Sequence, residues 1–376
     1  MTVSAEVLSA RALNRATLAR QFLLRRERRP ALDAIEALAG LQAQAPDAPY
    51  VALWSRLDGF SSGELAGLLT DRQVVRVPLM RATVHMVSAR DCLMLRPAVQ
   101  RVLARSFTAQ TYARNLDGVD IDAVLAAAQD LLSQRPLGRQ ELGRLLAERW
   151  PGRDPQSLAY AVSYLLPVVH VPPRGVWRSR GPIALAPAES WLGRPFSDGA
   201  SPGQLVLRYL AAFGPASVAD MQLWSGLSHL QEVTSSLGLR TFRDEQGREL
   251  FDLADAPRPS PDIPAPPRFL PEYDNVLLSH RDRSRLIPDG RPVPLPPGNG
   301  GRCGTLLVDG LFRATWRITR QEGTAALHVE AAEPLPDQDA IAAEGTRLLA
   351  FAADDAADRR VLFAPATVGS RHHPLE

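Results

Sequence analysis

A chain of 376 residues with 45% hydrophobic and 22% charged residues has room for two or three compact units and the composition of a soluble globular protein. Two cysteines and seven scattered histidines, without an HExxH or CxxC spacing, exclude a disulfide framework and point away from a metal centre. All 43 basic residues are arginine, so no side-chain amine can form a Schiff base, and a net charge of +2 requires any nucleic-acid surface to be local.

In chain order, the N-terminus "MTVSAEVLSARALNR" lacks a signal-peptide core and no apolar run approaches a membrane span, so the expected location is the cytoplasm. Apolar spacing predicts helices near 10–24, 30–40, 47–57 and 61–70, then a hairpin in "QVVRVPLMRATVHMVS" (73–88). Residues 118–198 repeat that order: helices over 120–134, 138–150 and 154–166, then "PVVHVPP", "RGVWRSRG" and "PIALAP" as strand, turn and strand. Residues 199–256 repeat it again, with helices stopped at Gly214 and Gly226, a third over "SHLQEVTSSLG", and a hairpin about a Glu-Gln-Gly turn. Three short helices followed by a hairpin is the winged-helix form of helix-turn-helix. A proline-rich linker (257–267) leads to a C-terminal region (268–376). There, "FLPEYDNVLLSHRDRSRLI", "CGTLLVDGLFRATWRITR" and "AALHVEAAEPL" read as strands, "DQDAIAAEGTRLLAFAA" as a helix and "RRVLFAP" as a last strand. The expected fold is α+β: tandem winged-helix units over 1–117, 118–198 and 199–256, followed by a β-barrel-like domain.

Arginines cluster in "RRERR" (25–29), at Arg72/Arg76/Arg81, at Arg96/Arg101/Arg105 and in "PPRGVWRSRG" (172–181). For any one cluster a solvated face is the simpler explanation. One neutral stretch stands out: "AGLQAQAPDAPY" sets Gln42 and Gln44 side by side beyond an apparent helix stop at Gly40.

"LNRATLARQFLLRR", "GLQAQAP", "RATVHMV", "PPRGVW" and "FLPEYDNVLLSHRDR", in this order along essentially the whole chain, resemble the AlkZ-type winged-helix DNA glycosylases. The resemblance implies tandem winged helices before a β-barrel, and a Gln-Φ-Gln catalytic motif (Φ aliphatic) that Gln42-Ala43-Gln44 matches with alanine at Φ. A related branch, similar to YcaQ, has aspartate in the last position, so Gln44 puts the chain on the AlkZ side. That side is associated with bulky alkylation products and with interstrand crosslinks made by DNA-damaging natural products.

The residues are chemically suited to this. An amide oxygen is too weak a base to deprotonate water, but it can orient one. That suffices where the leaving group needs little help, as with a purine alkylated at N7, which departs neutral from an oxocarbenium-like sugar. With no lysine to attack the sugar, the expected product is an abasic site without backbone cleavage, formed with no cofactor or metal. The expected partner is double-stranded DNA carrying alkylated purines or crosslinks, in the nucleoid, with no obligate protein partner.

Other residues keep two readings. Arg81, Thr83 and His85 alternate as if on one strand face, either lining the lesion pocket and meeting phosphate or forming the polar face of a hairpin. His170, Arg174, Trp177, Arg178 and Arg180 surround a turn that either enters a DNA groove or is a rigid Pro-Gly turn with a packed tryptophan. Glu272 and Asp274 are expected to anchor arginines, Arg281 or Arg283, rather than to catalyse. His372-His373 is expected in a mobile tail. The rival function is a non-catalytic DNA binder, a transcription regulator or a damage-binding protein. A regulator calls for a basic recognition helix, and neither "DPQSLAYAVSYLL" nor "SHLQEVTSSLG" contains arginine.

Overall fold

The computed structural model describes residues 6–293 and 303–365, and His372-His373 lies outside them. The fold is α+β. β1 (Val7–Leu8) and α1 (Ala10–Arg20) open it, with Ser9 capping α1 by accepting from the Ala12 N–H. α1 is shorter than its apolar pattern because Phe22 turns to a φ of 55° and the Leu23 N–H closes back onto the Leu18 carbonyl. α2 (Ala31–Ala37), β2 (Leu41–Gln42), α3 (Ala48–Arg56) and α4 (Ser62–Thr70) precede the hairpin of β3 (Val74–Pro78) and β4 (Val84–Ser88). The sequence pattern assigns no element to residues 89–114, which form α5 (Ala89–Ala98), α6 (Gln100–Thr108) and α7 (Thr111–Arg114).

The helices expected next are present as α8 (Ile121–Gln134), α9 (Arg139–Arg149) and α10 (Pro155–Leu165), with β5 (Leu137–Gly138) between the first two. Asp120 and Asp154 cap α8 and α10, each carboxylate accepting from backbone N–H groups of the first turn. β6 (Val168–Val171), β7 (Ala184–Pro187) and α11 (Ala188–Leu192) follow. Residues 201–252 form α12 (Pro202–Phe213), α13 (Val218–Ser225), α14 (Leu230–Ser236) and the hairpin β8 (Arg240–Asp244) and β9 (Glu249–Asp252). Capping boxes at Ser201 and Ser217 start α12 and α13.

The hairpins are not separate. β3 pairs with β6 through Arg76 opposite His170, giving one six-stranded sheet in the order β2-β4-β3-β6-β7-β5. One core cluster likewise reaches from Ala39 and Val87 through Leu103 and Val169 to Tyr209, Trp224 and Phe251. The β8–β9 hairpin instead pairs with β1.

The proline-rich segment runs along α1, pinned where Arg11, Arg15 and Arg20 donate to the carbonyls of Pro261, Ile263 and Pro257. Beyond it lie β10 (Arg268–Leu270), α15 (Asn275–Leu278), β11 (Gly304–Val308), β12 (Leu311–Gln321), β13 (Thr324–Ala331), α16 (Gln338–Ala352) and β14 (Asp358–Pro365). Two expectations fail here. The strand read over 269–287 is only β10, because Asp274 caps a helical turn by accepting from the Val276 N–H. The sheet is open rather than a closed barrel: α16 carries the chain across to lay β14 parallel to β13, leaving β10 and β14 as its two ends. No helix among the described residues is long and apolar enough to cross a membrane.

Candidate functional site

The Gln42 and Gln44 segment begins with a tight reversal at the end of α2. Ala39 and Gly40 take φ values of 55° and 91°, and a Cβ on Gly40 would come within 2.7 Å of a Val87 methyl, so only glycine fits there. The chain then extends along β4, with Leu41 opposite Met86, Gln42 opposite His85, and the Ala43 N–H donating to the Val84 carbonyl at 2.7 Å. Arg76 supports it from β3, donating to the Ala43 carbonyl at 2.8 Å. Ala43 packs in the core beside Tyr50 and Met86, so the alternation of an extended chain turns both glutamines to the opposite side.

The two amides are not equivalent. Gln42 is buried, 6% exposed, and its Oε1 accepts from Arg81 Nη2 at 2.7 Å. Gln44 is exposed, and its Oε1 accepts a longer bond, 3.3 Å, from the Val84 N–H. A guanidinium and a backbone N–H can only donate, so each contact fixes the amide with its oxygen toward that partner. Each oxygen has a second lone pair with which to hold a water.

Gln44 opens onto a cleft of about 1010 Å³. One wall comes from Arg76, Ala82 and Val84 of the β3–β4 hairpin, another from Arg139, Tyr160 and His170. Residues 174–181 border it, and Tyr273, Trp316, Arg317 and Arg320 face it from the C-terminal region. Its lining holds seven arginines against two carboxylates, Asp47 and Glu272, so a nearly neutral chain gathers positive charge in one concave place.

Of the other singled-out residues, Arg81, Thr83 and His85 do not share a strand face. Arg81 belongs to the turn Met80–Ala82 that joins β3 to β4, and the Thr83 hydroxyl donates to the Met80 carbonyl. His85 is fully buried, and desolvation, then the Arg81 charge, push its pKa down to about 3. His170 is buried opposite Arg76 and likewise held well below 6.5, first by burial and then by Arg76, Arg139 and Arg174. Both are therefore neutral near pH 7.

Residues 172–181 form a packed loop. Trp177 lies 4.8 Å from the Tyr50 ring and 5.2 Å from Phe351, and Arg174 ties the loop to itself at the Gly181 carbonyl. Arg178 donates to Asp354 and the Ala352 carbonyl, and Arg180 is exposed at the cleft. Asp274 anchors Arg56 in a bidentate buried pair rather than Arg281 or Arg283, while Glu272 lines the cleft. Arg96, read as part of a surface cluster, is buried and donates to the last carbonyls of α10 and its cap.

The sequence pattern missed Arg139, Tyr160 and Asn275, and it placed Arg76 only in an arginine cluster rather than beneath the glutamine strand. Arg76 left a signal: it interrupts a valine run in a strand buried on both faces, where a charged side chain requires a reason. Burial lowers its pKa to about 10. Among the described residues no cluster of three or more histidine, cysteine or acidic side chains could hold a metal.

The buried histidines give a stability prediction. His85 and His280 are each pushed down to about 3 and His170 well below 6.5, whereas the unfolded chain binds these protons near pH 6.5. Below that pH the unfolded state takes up protons the folded state refuses, so stability falls toward acid by up to about 1.4 kcal/mol per histidine per pH unit. The melting temperature is expected to be level above pH 7 and to drop between pH 6.5 and 5. A level curve down to pH 5 would show that these histidines titrate normally in the fold.

Residues 35–351 match the family described as DNA glycosylase AlkZ-like. Among solved structures, the fold is similar to Streptomyces sahachiroi DNA glycosylase AlkZ, with a TM-score of 0.68 and 20% identity, covering 96% of this chain and all of that one. No curated protein matches it in sequence. By a family match over most of its length, the chain belongs to the AlkZ-like DNA glycosylases.

Proposed function

We propose that this DNA glycosylase is monofunctional and excises bulky N7-alkylated purines, including those in interstrand crosslinks, in repair or in self-resistance to a genotoxic natural product. The observation that carries this reading is the placement of Gln44, backed by Gln42, at an open arginine-lined cleft. A cationic N7-alkylpurine leaves as a neutral base, so the barrier is lowered mainly by holding water against the developing oxocarbenium. Amides can do this through their second lone pairs, while unmodified bases lack the drive to leave. The arginines hold the duplex by its phosphates, with Arg174, Arg178 and Arg180 at the cleft edge. An open cleft also admits a base still tethered to the opposite strand, which an enclosed base-flipping pocket cannot. In this reading α8–α10 with β6–β7, and α12–α14 with β8–β9, act as winged-helix units around the DNA, in the cytoplasmic nucleoid.

A regulator reading sequence through α10 or α14 would do so without arginine, the commonest reader of guanine edges, since neither helix carries one. The test uses purified protein and a duplex containing N7-alkylguanine. Base release is expected to proceed in chelator, the strand is expected to stay intact until alkali is added, and borohydride should trap no major covalent complex. Loss of activity on chelation with rescue by a divalent ion would overturn the water-and-amide mechanism. A strong trapped adduct would instead make the N-terminal amine the nucleophile.

A further inference from the structure

We propose that Arg81 and Asn275 are positioning residues that set the rotation and polarity of the Gln42 amide, an inference that rests on the catalytic reading of Gln42. Arg81 sits in an unusual turn. It and Ala82 have φ values of 56° and 54°, successive left-handed residues at a place where such hairpin turns ordinarily use asparagine and glycine. The backbone holds this geometry through Ala82 N–H to the Leu79 carbonyl and Thr83 N–H to the Met80 carbonyl. Strain of this kind persists only where surrounding structure over-determines it.

What the turn achieves is a closed ring of hydrogen bonds. Arg81 Nη2 is shared between Gln42 Oε1 at 2.7 Å and Asn275 Oδ1 at 2.8 Å, and Asn275 Nδ2 donates to the Gly40 carbonyl at 3.2 Å. The ring therefore starts and ends on the short segment Gly40–Gln42. Both acceptors that Arg81 meets are neutral amides. A carboxylate in either place would draw the guanidinium into an ion pair and weaken its hold on the other acceptor. With neutral partners the cation polarises the Gln42 carbonyl and prevents the amide from flipping. Asn275 is itself fixed by its neighbour Asp274, which is bound to Arg56 and caps α15. The glutamine strand is thus oriented from the C-terminal half of the chain, more than 230 residues away.

The experiment measures single-turnover excision from an N7-methylguanine duplex under enzyme excess, with duplex affinity measured separately. Asn275→Ala and Arg81→Met are each expected to slow excision about tenfold, one positioned hydrogen bond's worth, with less than about threefold change in affinity. In a Gln42→Ala background the same substitutions should change the rate by less than about twofold, because the group they position is gone. Arg81→Lys keeps the charge but is a poor bridge between two acceptors, so its rate should lie between wild type and Arg81→Met. Asn275→Asp is nearly isosteric and guards against a folding defect: slower excision at an unchanged melting temperature supports the proposal, and a wild-type rate overturns it. Losses that multiply in the Gln42→Ala background, or that are matched by equal losses of affinity, also overturn it. Wild-type turnover in Gln42→Ala alone would remove the underlying catalytic reading, and that result is visible without either positioning variant.

Discussion

Gln44→Ala is expected to lower single-turnover excision of N7-alkylguanine roughly ten- to a thousand-fold, by analogy with removed transition-state hydrogen-bonding groups, while leaving DNA affinity nearly intact. Gln44 is exposed at the cleft, where its Oε1 accepts a 3.3 Å bond from the Val84 N–H. On the proposed reading, water placement matters most as the sugar becomes cationic, whereas the arginines of the cleft would supply ground-state attraction for phosphate. Gln42→Ala is expected to fall in the same range, through an amide already fixed by Arg81. The double mutant should fall short of the product of the singles, because both amides would serve one water. Gln44→Asp introduces a base beside an arginine-rich wall. It should keep activity on small N7-methyl lesions and lose it on bulkier ones, whose fit in the cleft a hydrated carboxylate disturbs. Wild-type rates in both alanine variants, with the fold intact by circular dichroism, would leave these amides as ordinary loop residues.

Most helices were legible because their signals are local, although α5, α6 and α7 over residues 89–114 went unassigned. α8, α10, α12 and α13 each begin at a capping side chain, Asp120, Asp154, Ser201 or Ser217, and α8, α10 and α12 have an apolar face at helical spacing. The failures in sheet topology were non-local. The joining of β3 to β6 rests on one register pair, Arg76 with His170, between segments almost a hundred residues apart, and nothing in either strand announces it. The run "FLPEYDNVLLSH" shows the complementary failure: a short apolar stretch suits a buried strand and a buried helical turn alike, and the Asp274 cap decides it. The openness of the C-terminal sheet depends on where α16 returns the chain, again invisible in the strands themselves.

The site divides in the same way. Two glutamines flanking an alanine could be read as two polar residues on one face. That one is buried against Arg81 and the other open to the cleft depends on the turn at Met80–Ala82, whose left-handed residues are not of the usual type. The loop at 172–181 admitted two readings, a groove-entering wing or a rigid turn with a packed tryptophan, and Trp177 packs on Tyr50 and Phe351 while Arg178 is engaged with Asp354. Charge clusters in sequence are therefore a partial guide to charge in space: Arg96 is buried away from the cleft, which takes Arg76, Arg174, Arg178 and Arg180 from two of the clusters and Arg139, Arg317 and Arg320 from outside them.

Asp274→Ala is expected to destabilise the protein by about 3–5 kcal/mol, the cost of leaving a buried charge without its partner. Arg56 donates to both Asp274 oxygens, at 2.8 and 2.9 Å, with side-chain exposures of 1% and 2%. Its remaining bonds, to the Ala52 carbonyl and to Gln21 Oε1, are to neutral groups and cannot compensate the charge. The substitution also removes the carboxylate that accepts from the Val276 N–H, which frees the start of α15 and with it Asn275. Asp274→Asn should cost less, since an amide oxygen can keep the cap and one bond from Arg56. Replacing both partners, Arg56→Met with Asp274→Leu, should recover part of the loss, because two apolar groups avoid the desolvation that a lone cation cannot. Arg25→Ala, which breaks an exposed pair with Glu27, is the contrast and should change stability by less than about 1 kcal/mol. Urea unfolding of the four variants checks the order. An Asp274→Ala protein as stable as wild type but inactive in base excision would mean that this carboxylate belongs to the chemistry after all.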